Sequence, residues 1–187
     1  MSCDISKGRK EPCLDVVGGI KAGYMFNRGE YGITYDLTDD HVIDDIDDGA
    51  ASPSNATCYK WEVKNASDLT QNIQSSRDTG TTFIEQVLSL TLKKLDKDTH
   101  KQLMLLAYGR PMIVVHDYNG NAFACGVENG MDVSGGTVVT GAAMGDLSGY
   151  TLSLTGHERL PANFLDGATV DDPFAGMSTT VTVVEGT

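Results

Sequence analysis

Residues 82–92 alternate between apolar and polar side chains, and this pattern constrains the fold of the 187-residue chain more than any other feature. Ile84, Leu88, Leu90 and Leu92 fall on one side of an extended strand, and polar residues occupy most of the other side. A two-residue repeat is typical of a strand with one buried and one solvated face. The segment therefore predicts a long strand that covers a core and presents polar groups to water.

A second extended segment precedes this strand. Residues 69–76 are polar, and Asp78, Thr79 and Gly80 provide a turn between the two segments. Glycine adopts the positive φ that tight turns require at little steric cost. The stretch 69–92 therefore predicts a long β-hairpin.

Most of the remaining chain predicts strands joined by turns. The sequence holds 21 glycines and only 5 prolines, which favours a sheet over a helical bundle. The Asn119-Gly120 pair predicts a type I′ hairpin between strands 112–115 and 122–127, because that turn needs positive φ at both central positions. The other predicted strands are 20–26, 31–37, 58–63, 137–140, 150–155 and 179–184.

One segment predicts a helix, over residues 97–108. Strong helix formers with an apolar face occupy it, and Asp96 or Asp98 can cap its first turn. Gly109 ends the helix and Pro111 prevents its continuation.

Together these elements predict a mainly β (α+β) fold, an antiparallel β-sandwich or barrel with one flanking α-helix. Residues 1–19 are polar and predict an N-terminal arm. Residues 20–165 form the predicted domain, and 166–187 are a C-terminal extension that adds one strand.

The charge argues against a free-standing nucleic-acid-binding protein. The formal net charge is −12, and no basic face for phosphates is visible in the sequence. The cysteines have no zinc-ligand spacing, so we expect neither a metal nor a cofactor. Two disulfides are formally possible, but the sequence starts without a signal peptide, so we expect reduced thiols. They are Cys3, Cys13, Cys58 and Cys125.

No set of residues predicts catalysis. His116 and Asp117 are adjacent at the end of a predicted strand, where the aspartate could orient the imidazole for acid–base work. We favour a turn-capping role for the pair. No nucleophile motif or phosphate loop is present, so we do not expect an enzyme.

Two features suggest a different class of protein, a calcium- or carbohydrate-binding β-domain. A run of aspartates offers the hard oxygen ligands that calcium prefers, but its spacing does not fit a calcium loop. We favour a solvated surface for this run, which comprises Asp39, Asp40, Asp44, Asp45, Asp47 and Asp48. Trp61 with Tyr59 could stack on a sugar, although core packing on one strand face is the interpretation we favour.

The order of elements from 82 to 165 resembles that of tail-tube-like structural proteins of tailed bacteriophages. A long strand leads into the helix that ends at Gly109, and four further segments follow in the same order. These segments are 113–120, 125–130, 145–150 and 152–158, and the opening stretch 13–24 has a similar character. The resemblance covers about half of the chain and has no single diagnostic motif.

This resemblance implies a subunit of a phage virion that forms hexameric rings. Neighbouring copies would join their sheets into one inner barrel, and the rings would stack through arms and loops. Its partners would be further copies of itself and other tail proteins. DNA would pass through the acidic lumen without specific binding.

On this hypothesis the hairpin 69–92 lines the lumen. The predicted lumen-facing residues are Thr70, Asn72, Gln74, Glu85, Ser89 and Thr91. The strand 179–184 has no place in a minimal tube subunit, so a head-decoration or tail-terminator protein stays open as an alternative virion role.

Overall fold

The computed structural model describes residues 7–11, 13–36, 41–49, 55–63 and 67–186. Within them the chain forms twelve strands and one helix, α1 (Lys97–Tyr108). The strands are β1 (Ile20–Phe26), β2 (Gly32–Tyr35), β3 (Val42–Asp47), β4 (Asn55–Glu62), β5 (Asp68–Ser76), β6 (Thr81–Lys93), β7 (Met112–Asp117), β8 (Ala122–Cys125), β9 (Asp132–Val139), β10 (Gly149–Glu158), β11 (Asn163–Leu165) and β12 (Thr180–Glu185).

The strands form two sheets. The large sheet has eight strands in the order β12-β4-β1-β7-β8-β11-β3-β2, and the small sheet has four in the order β5-β6-β10-β9. The predicted mainly β sandwich with one helix is confirmed, in the sandwich form and not as a closed barrel. The antiparallel prediction fails at two pairs, since β11 pairs with β3 and β12 with β4 in parallel. Both strands pair with partners that lie far earlier in the sequence. A two-residue hairpin joins only antiparallel strands, so these parallel pairs need long connections.

Strand β7 separates two hydrophobic cores by its alternation. Met112 and Val114 point into a core formed by strands of the large sheet together with Phe174. Ile113 and Val115 point into the second core, between the two sheets. A central strand with buried residues on both faces explains why this segment reads as a continuous apolar run.

The predicted hairpin is present as β5 and β6. Its register runs from Asp68 opposite Ser89 to Ser76 opposite Thr81, and Gly80 has a φ of 66° in the turn. The apolar side of β6 is buried in the second core, with Leu88 and Leu90 almost fully shielded. The hairpin therefore covers the core as its alternation predicts.

The predicted helix is present, and Asp96 is its N-cap. One Asp96 carboxylate oxygen accepts hydrogen bonds from the amides of Asp98 and Thr99, at 3.0 and 3.2 Å. Gly109 ends the helix. Leu106 is the buried residue of α1, so the helix packs lightly on the side of the sandwich.

The β7–β8 hairpin is confirmed, but its predicted turn type is wrong. Gly120 has a φ of 86°, whereas Asn119 does not adopt positive φ. The amide of Asp117 donates to the carbonyl of Asn121 and closes a longer turn. Oδ1 of Asp117 also accepts from the amides of Asn119 and Asn121, at 2.8 and 2.7 Å. These side-chain bonds stabilise a three-residue connection with glycine at the left-handed position.

Candidate assembly surface

The outward face of the small sheet carries all six residues that the sequence predicts to line a lumen. Cross-strand neighbours share a face of a sheet, and Thr70, Asn72 and Gln74 lie opposite Val87, Glu85 and Phe83. Ser89 and Thr91 continue the same row along β6, facing Ser153 and Thr151 of β10. The structure thus places the predicted residues together on one solvent-accessible face.

Hydroxyl groups on this face bond to one another across strands. Thr137 and Thr151 approach within 2.6 Å through their hydroxyl oxygens, and the Thr155 hydroxyl donates to that of Ser134 over 2.9 Å. In the turn of the hairpin, the hydroxyl of Thr79 lies 2.8 Å from that of Thr81, which is on this face. Cross-strand contacts therefore pair several hydroxyl groups of this face with one another.

The same face carries few charges. Asp68, Glu85 and Asp132 contribute carboxylates, and Lys93 lies at the far end of β6. The Asp132 carboxylate lies 3.0 Å from the guanidinium group of Arg110. The Asn72 side-chain amide donates to Glu85 over 3.2 Å, and Nε2 of His157 lies 4.0 Å from Glu85. The surface is polar and mildly acidic rather than strongly charged.

Gln86 attaches the inner side of the small sheet to the rest of the molecule. Its side-chain oxygen accepts from the Gly126 amide at 3.0 Å, and its side-chain nitrogen donates to the Leu160 carbonyl at 3.4 Å. Nearby, the Gln71 side chain accepts from the Ala162 amide at 2.7 Å. The alternation placed both glutamines on the inner face, but no sequence signal named their partners.

Both edges of the small sheet are open in the part of the chain that the structure describes. Strands β5 and β9 each pair with one neighbour, and no further strand covers their outer sides. Neither strand contains lysine or proline, residues that often block unwanted edge pairing. Strand β9 is irregular, because its register with β10 shifts and it contains two glycines. Strand β5 pairs with β6 without interruption. The β5 edge in particular is a ready template for a further strand.

The strand directions make the two edges complementary. Every neighbouring pair in the small sheet is antiparallel, so β5 and β9 run in opposite directions. When two copies stand side by side in the same orientation, β5 of one would meet β9 of the other in an antiparallel pair. The sheet can therefore continue from copy to copy without a change of pairing type.

The hairpin extends past the rest of the small sheet. Pairing with β10 stops at Ile84, opposite Glu158, and the hairpin beyond it consists of β5 and β6 alone. Ile73 is 75% exposed and Phe83 is 39% exposed in this region. A protruding two-stranded ribbon with exposed apolar side chains is a candidate contact for another protein chain.

The structure does not bring His116 and Asp117 together as an acid–base pair. His116 is buried, and its Nε2 lies 2.8 Å from the Thr169 carbonyl oxygen, which can only accept. Burial lowers the pKa of His116, so the ring is neutral and donates from Nε2. Asp117 instead bonds the turn residues Asn119 and Asn121. The turn-capping role is that of Asp117 alone.

The sequence predicts a solvated surface for the aspartate run, but Asp44, Asp45 and Asp47 lie in strand β3. Asp45 is buried; one of its oxygens accepts from the amides of Ile46 and Thr179, and the other accepts from the Ser178 hydroxyl. Burial opposes ionisation of Asp45, but these hydrogen bonds outweigh it and lower its pKa. Asp39 and Asp40 lie outside the described residues. Among the residues described, no group of three or more His, Cys, Asp or Glu is placed to hold a metal ion.

Cys58 and Cys125 are buried free thiols, and Cys13 is exposed; Cys3 falls outside the residues described. Burial raises the pKa of both buried thiols to about 12. These two groups pack as small hydrophobic side chains and are poor nucleophiles.

Tyr59 and Trp61 line a groove beside α1. A cleft of about 480 Å³ lies between these two aromatic residues and the start of the helix, with Leu92 and Gln102 also on its wall. A cleft of about 540 Å³ adjoins it and shares Tyr59, Trp61 and Gln102. Trp61 packs partly against the second core, as the sequence predicts, but Tyr59 is 43% exposed.

No helix in the described part of the chain is long and apolar enough to cross a membrane. Comparison with protein-family models, with curated proteins and with solved structures gave no match.

Proposed function

We propose that this chain is a structural subunit of a bacteriophage tail tube, which assembles into stacked, hexameric rings around a DNA-conducting lumen. The observation that carries the proposal is the small sheet. It combines a polar outward face with two open and directionally complementary edges. The protein acts by assembly and not as an enzyme, and its location is the virion.

Edge pairing supplies the ring contact. Each copy would contribute four strands, joined to the next copy through β5 and β9. Six copies would then close a barrel of about 24 strands, more than the roughly 16–18 with which barrels already enclose an aqueous channel. Burial of the inner face against the large sheet leaves the polar face as the one that lines this channel.

The lining suits the passage of DNA. Hydroxyl and amide groups dominate the face, and Asp68, Glu85 and Asp132 are its carboxylates. Binding to DNA phosphates depends on lysine and arginine, which are missing from the middle of this face. Together with the net charge of −12, such a surface would let DNA pass without binding it.

Electron microscopy of the purified protein tests the proposal directly. Tubes with a central channel are expected at high protein concentration. Separate rings that never stack would favour a tail terminator. Monodisperse monomers at every concentration would contradict the proposal.

Edge variants make the test specific to the small sheet. Ile73→Lys and Val138→Lys each place a charge on an edge strand at a side chain that is already exposed, so folding should be preserved. Both should abolish ring formation in light scattering. The matched control is Met144→Lys, which adds the same charge at a fully exposed position of the loop between β9 and β10, outside both edge strands, and should assemble normally.

A further inference from the structure

The groove beside α1 consists of two adjoining clefts. We define the α1 groove by the residues of these clefts that are used here: Tyr59, Trp61, Leu92, Gln102 and Leu105. The clefts have volumes of about 480 and 540 Å³, which lie in the range of about 300–1,000 Å³ in which proteins hold small molecules. Strand β4, the end of β6 and the helix contribute these residues, so the groove is separate from the polar face of the small sheet.

Tyr59 and Trp61 provide two aromatic rings on one side of the α1 groove. They are two residues apart in β4, so they lie on the same face of the strand, about 7 Å from each other along it. Trp61 packs partly against the second core, which holds its ring in place, and Tyr59 is 43% exposed. Each ring has a flat apolar face and a polar group at its edge. The groove therefore offers two adjacent surfaces on which a ligand with a flat apolar face can stack.

The α1 groove also has hydrogen-bonding groups that are not in use. The hydroxyl of Tyr59, the indole N–H of Trp61 and the side-chain amide of Gln102 have no hydrogen-bond partner within the described part of the chain. The indole can only donate, whereas the hydroxyl and the amide both donate and accept. A ligand can satisfy all three groups only if it carries donors and acceptors of its own.

The charges around the α1 groove do not favour an ionic ligand. Five basic and four acidic side chains line the two clefts, namely Lys60, Lys93, Lys94, Arg28 and Arg110 against Glu62, Asp96, Asp98 and Glu185. The Lys60 ammonium lies 3.0 and 2.6 Å from carboxylate oxygens of Glu62 and Glu185. Arg28 donates to the Glu128 carbonyl, Arg110 lies 3.0 Å from Asp132, and Asp96 caps the helix. Because most of these charges already have partners, a neutral ligand fits the groove better than an anion or a cation.

We propose that the α1 groove binds a neutral oligosaccharide, whose rings stack on Tyr59 and Trp61 and whose hydroxyl groups bond to Gln102. A sugar unit has a flat face of C–H groups and a rim of hydroxyl groups that donate and accept, so it matches the aromatic faces and the unused polar groups together. Because the two rings follow one strand, they can hold neighbouring units of one sugar chain. The inference goes beyond the proposed function and does not depend on it, since it adds glycan binding to assembly.

The single tryptophan of the chain, Trp61, reports occupancy of the α1 groove by its emission. The full-length protein, kept below the concentration at which it assembles, is titrated with three neutral sugars, maltohexaose, cellohexaose and chitohexaose. At least one of them should change the emission in a saturable manner. Its affinity should stay within about twofold when salt is raised to about 0.5 M, because no ion pair forms. Absence of a saturable change with all three sugars would overturn the inference.

Two exposed tyrosines provide matched variants. Tyr59 and Tyr108 are 43% and 84% exposed, but only Tyr59 lines the α1 groove. Tyr59→Ala should weaken binding of the hexasaccharide by about tenfold, because it removes one of the two stacking surfaces. Tyr108→Ala should leave the affinity unchanged. Equal affinities of the two variants would place the sugar elsewhere and refute the inference.

Gln102→Leu tests whether the ligand is held by hydrogen bonds as well as by stacking. The substitution keeps a side chain of similar size and removes the amide, so it should weaken hexasaccharide binding by about fivefold. Unchanged or higher affinity would contradict the proposed contact. Decaproline tests a peptide as the occupant, since proline-rich segments also dock against aromatic rings. Tighter binding of decaproline than of any of the three sugars would refute the inference.

Imaging separates this inference from the proposed function. Tyr59→Ala should form the same tubes as the wild-type chain, because Tyr59 lies in the large sheet and not at an edge of the small one. Loss of tubes in this variant would make the α1 groove an assembly contact and would refute the inference. Failure of the wild-type chain to form rings would refute the tube proposal, and the sugar titration would still decide what the groove binds.

Discussion

The amide of Gly126 donates a hydrogen bond of 3.0 Å to the side-chain oxygen of Gln86, and this bond ties the two sheets together. Gln86 is 1% exposed and also donates to the Leu160 carbonyl. A glutamine in this position satisfies a buried amide and a partly buried carbonyl, and it fixes how the small sheet sits on the large one.

Gln86→Leu should lower the free energy of unfolding by about 1–3 kcal/mol, because it leaves the Gly126 amide and the Leu160 carbonyl without their partner. Urea unfolding followed by circular dichroism measures the change. Gln74→Leu, at an exposed position of the hairpin, is the control and should stay within about 0.5 kcal/mol of wild type. Equal effects at the two sites would refute the role of Gln86.

Gly149→Ala should destabilise the small sheet by about 2 kcal/mol or more, because its added methyl group would overlap the Leu92 backbone carbonyl in the β6–β10 ladder. Gly145→Ala is the matched control, since a methyl group there meets no atom within 4 Å. Thermal unfolding of both variants checks the prediction. A wild-type melting temperature for Gly149→Ala would contradict the packing described for β10.

Protonation of Asp45 should make the protein less stable in acid. Its folded-state pKa lies below that of an unfolded aspartate, about 3.9. The stability from its hydrogen bonds is therefore fully present above that pH and is lost as the pH falls through the lower, folded-state pKa. Urea unfolding of wild type and Asp45→Asn from about pH 6 to pH 2 should show the difference between them shrinking in acid. A constant difference across this range would exclude ionised Asp45 as its cause.

The titration of His116 should lower the stability of the protein over a different, less acidic pH range. Its folded-state pKa is below the unfolded value of about 6.5, so the unfolded chain binds the proton more readily. The free energy of unfolding should therefore fall as the pH drops from about 7.5 to 5.5. His116→Gln can still donate to the Thr169 carbonyl and should flatten this slope. An unchanged slope in the variant would assign the effect to another group.

The sequence predicted those elements whose signals are local. The hairpin at Gly80, the helix after Asp96 and the β7–β8 hairpin all follow from turn residues, caps and alternation within a few positions. The pairing of β6 with β10 joins segments far apart in the chain, so no local pattern could show which strands become the open edges. The polar face was predictable, but its borders were not.

Strand β3 was missed because a bulge breaks its alternation. Pairing with β2 shifts between Thr34 and Tyr35, which brings Ile43 and Ile46 into the same core although three positions separate them. Asp45 is then buried beside them by its bonds to the C-terminal segment. In the sequence this strand reads as an acidic, solvated run, and only the long-range partners Ser178 and Thr179 explain it.

The opposite directions of β5 and β9 have a consequence for ring size. Because every junction in the proposed ring is the same antiparallel pair, the edges determine that copies join but not how many complete the circle. The bend of the sheet sets that number, and a register shift such as the one beside Gly135 of β9 bends a strand locally. Substitutions there should alter the diameter of the channel, whereas substitutions along β5 should decide whether a channel forms at all.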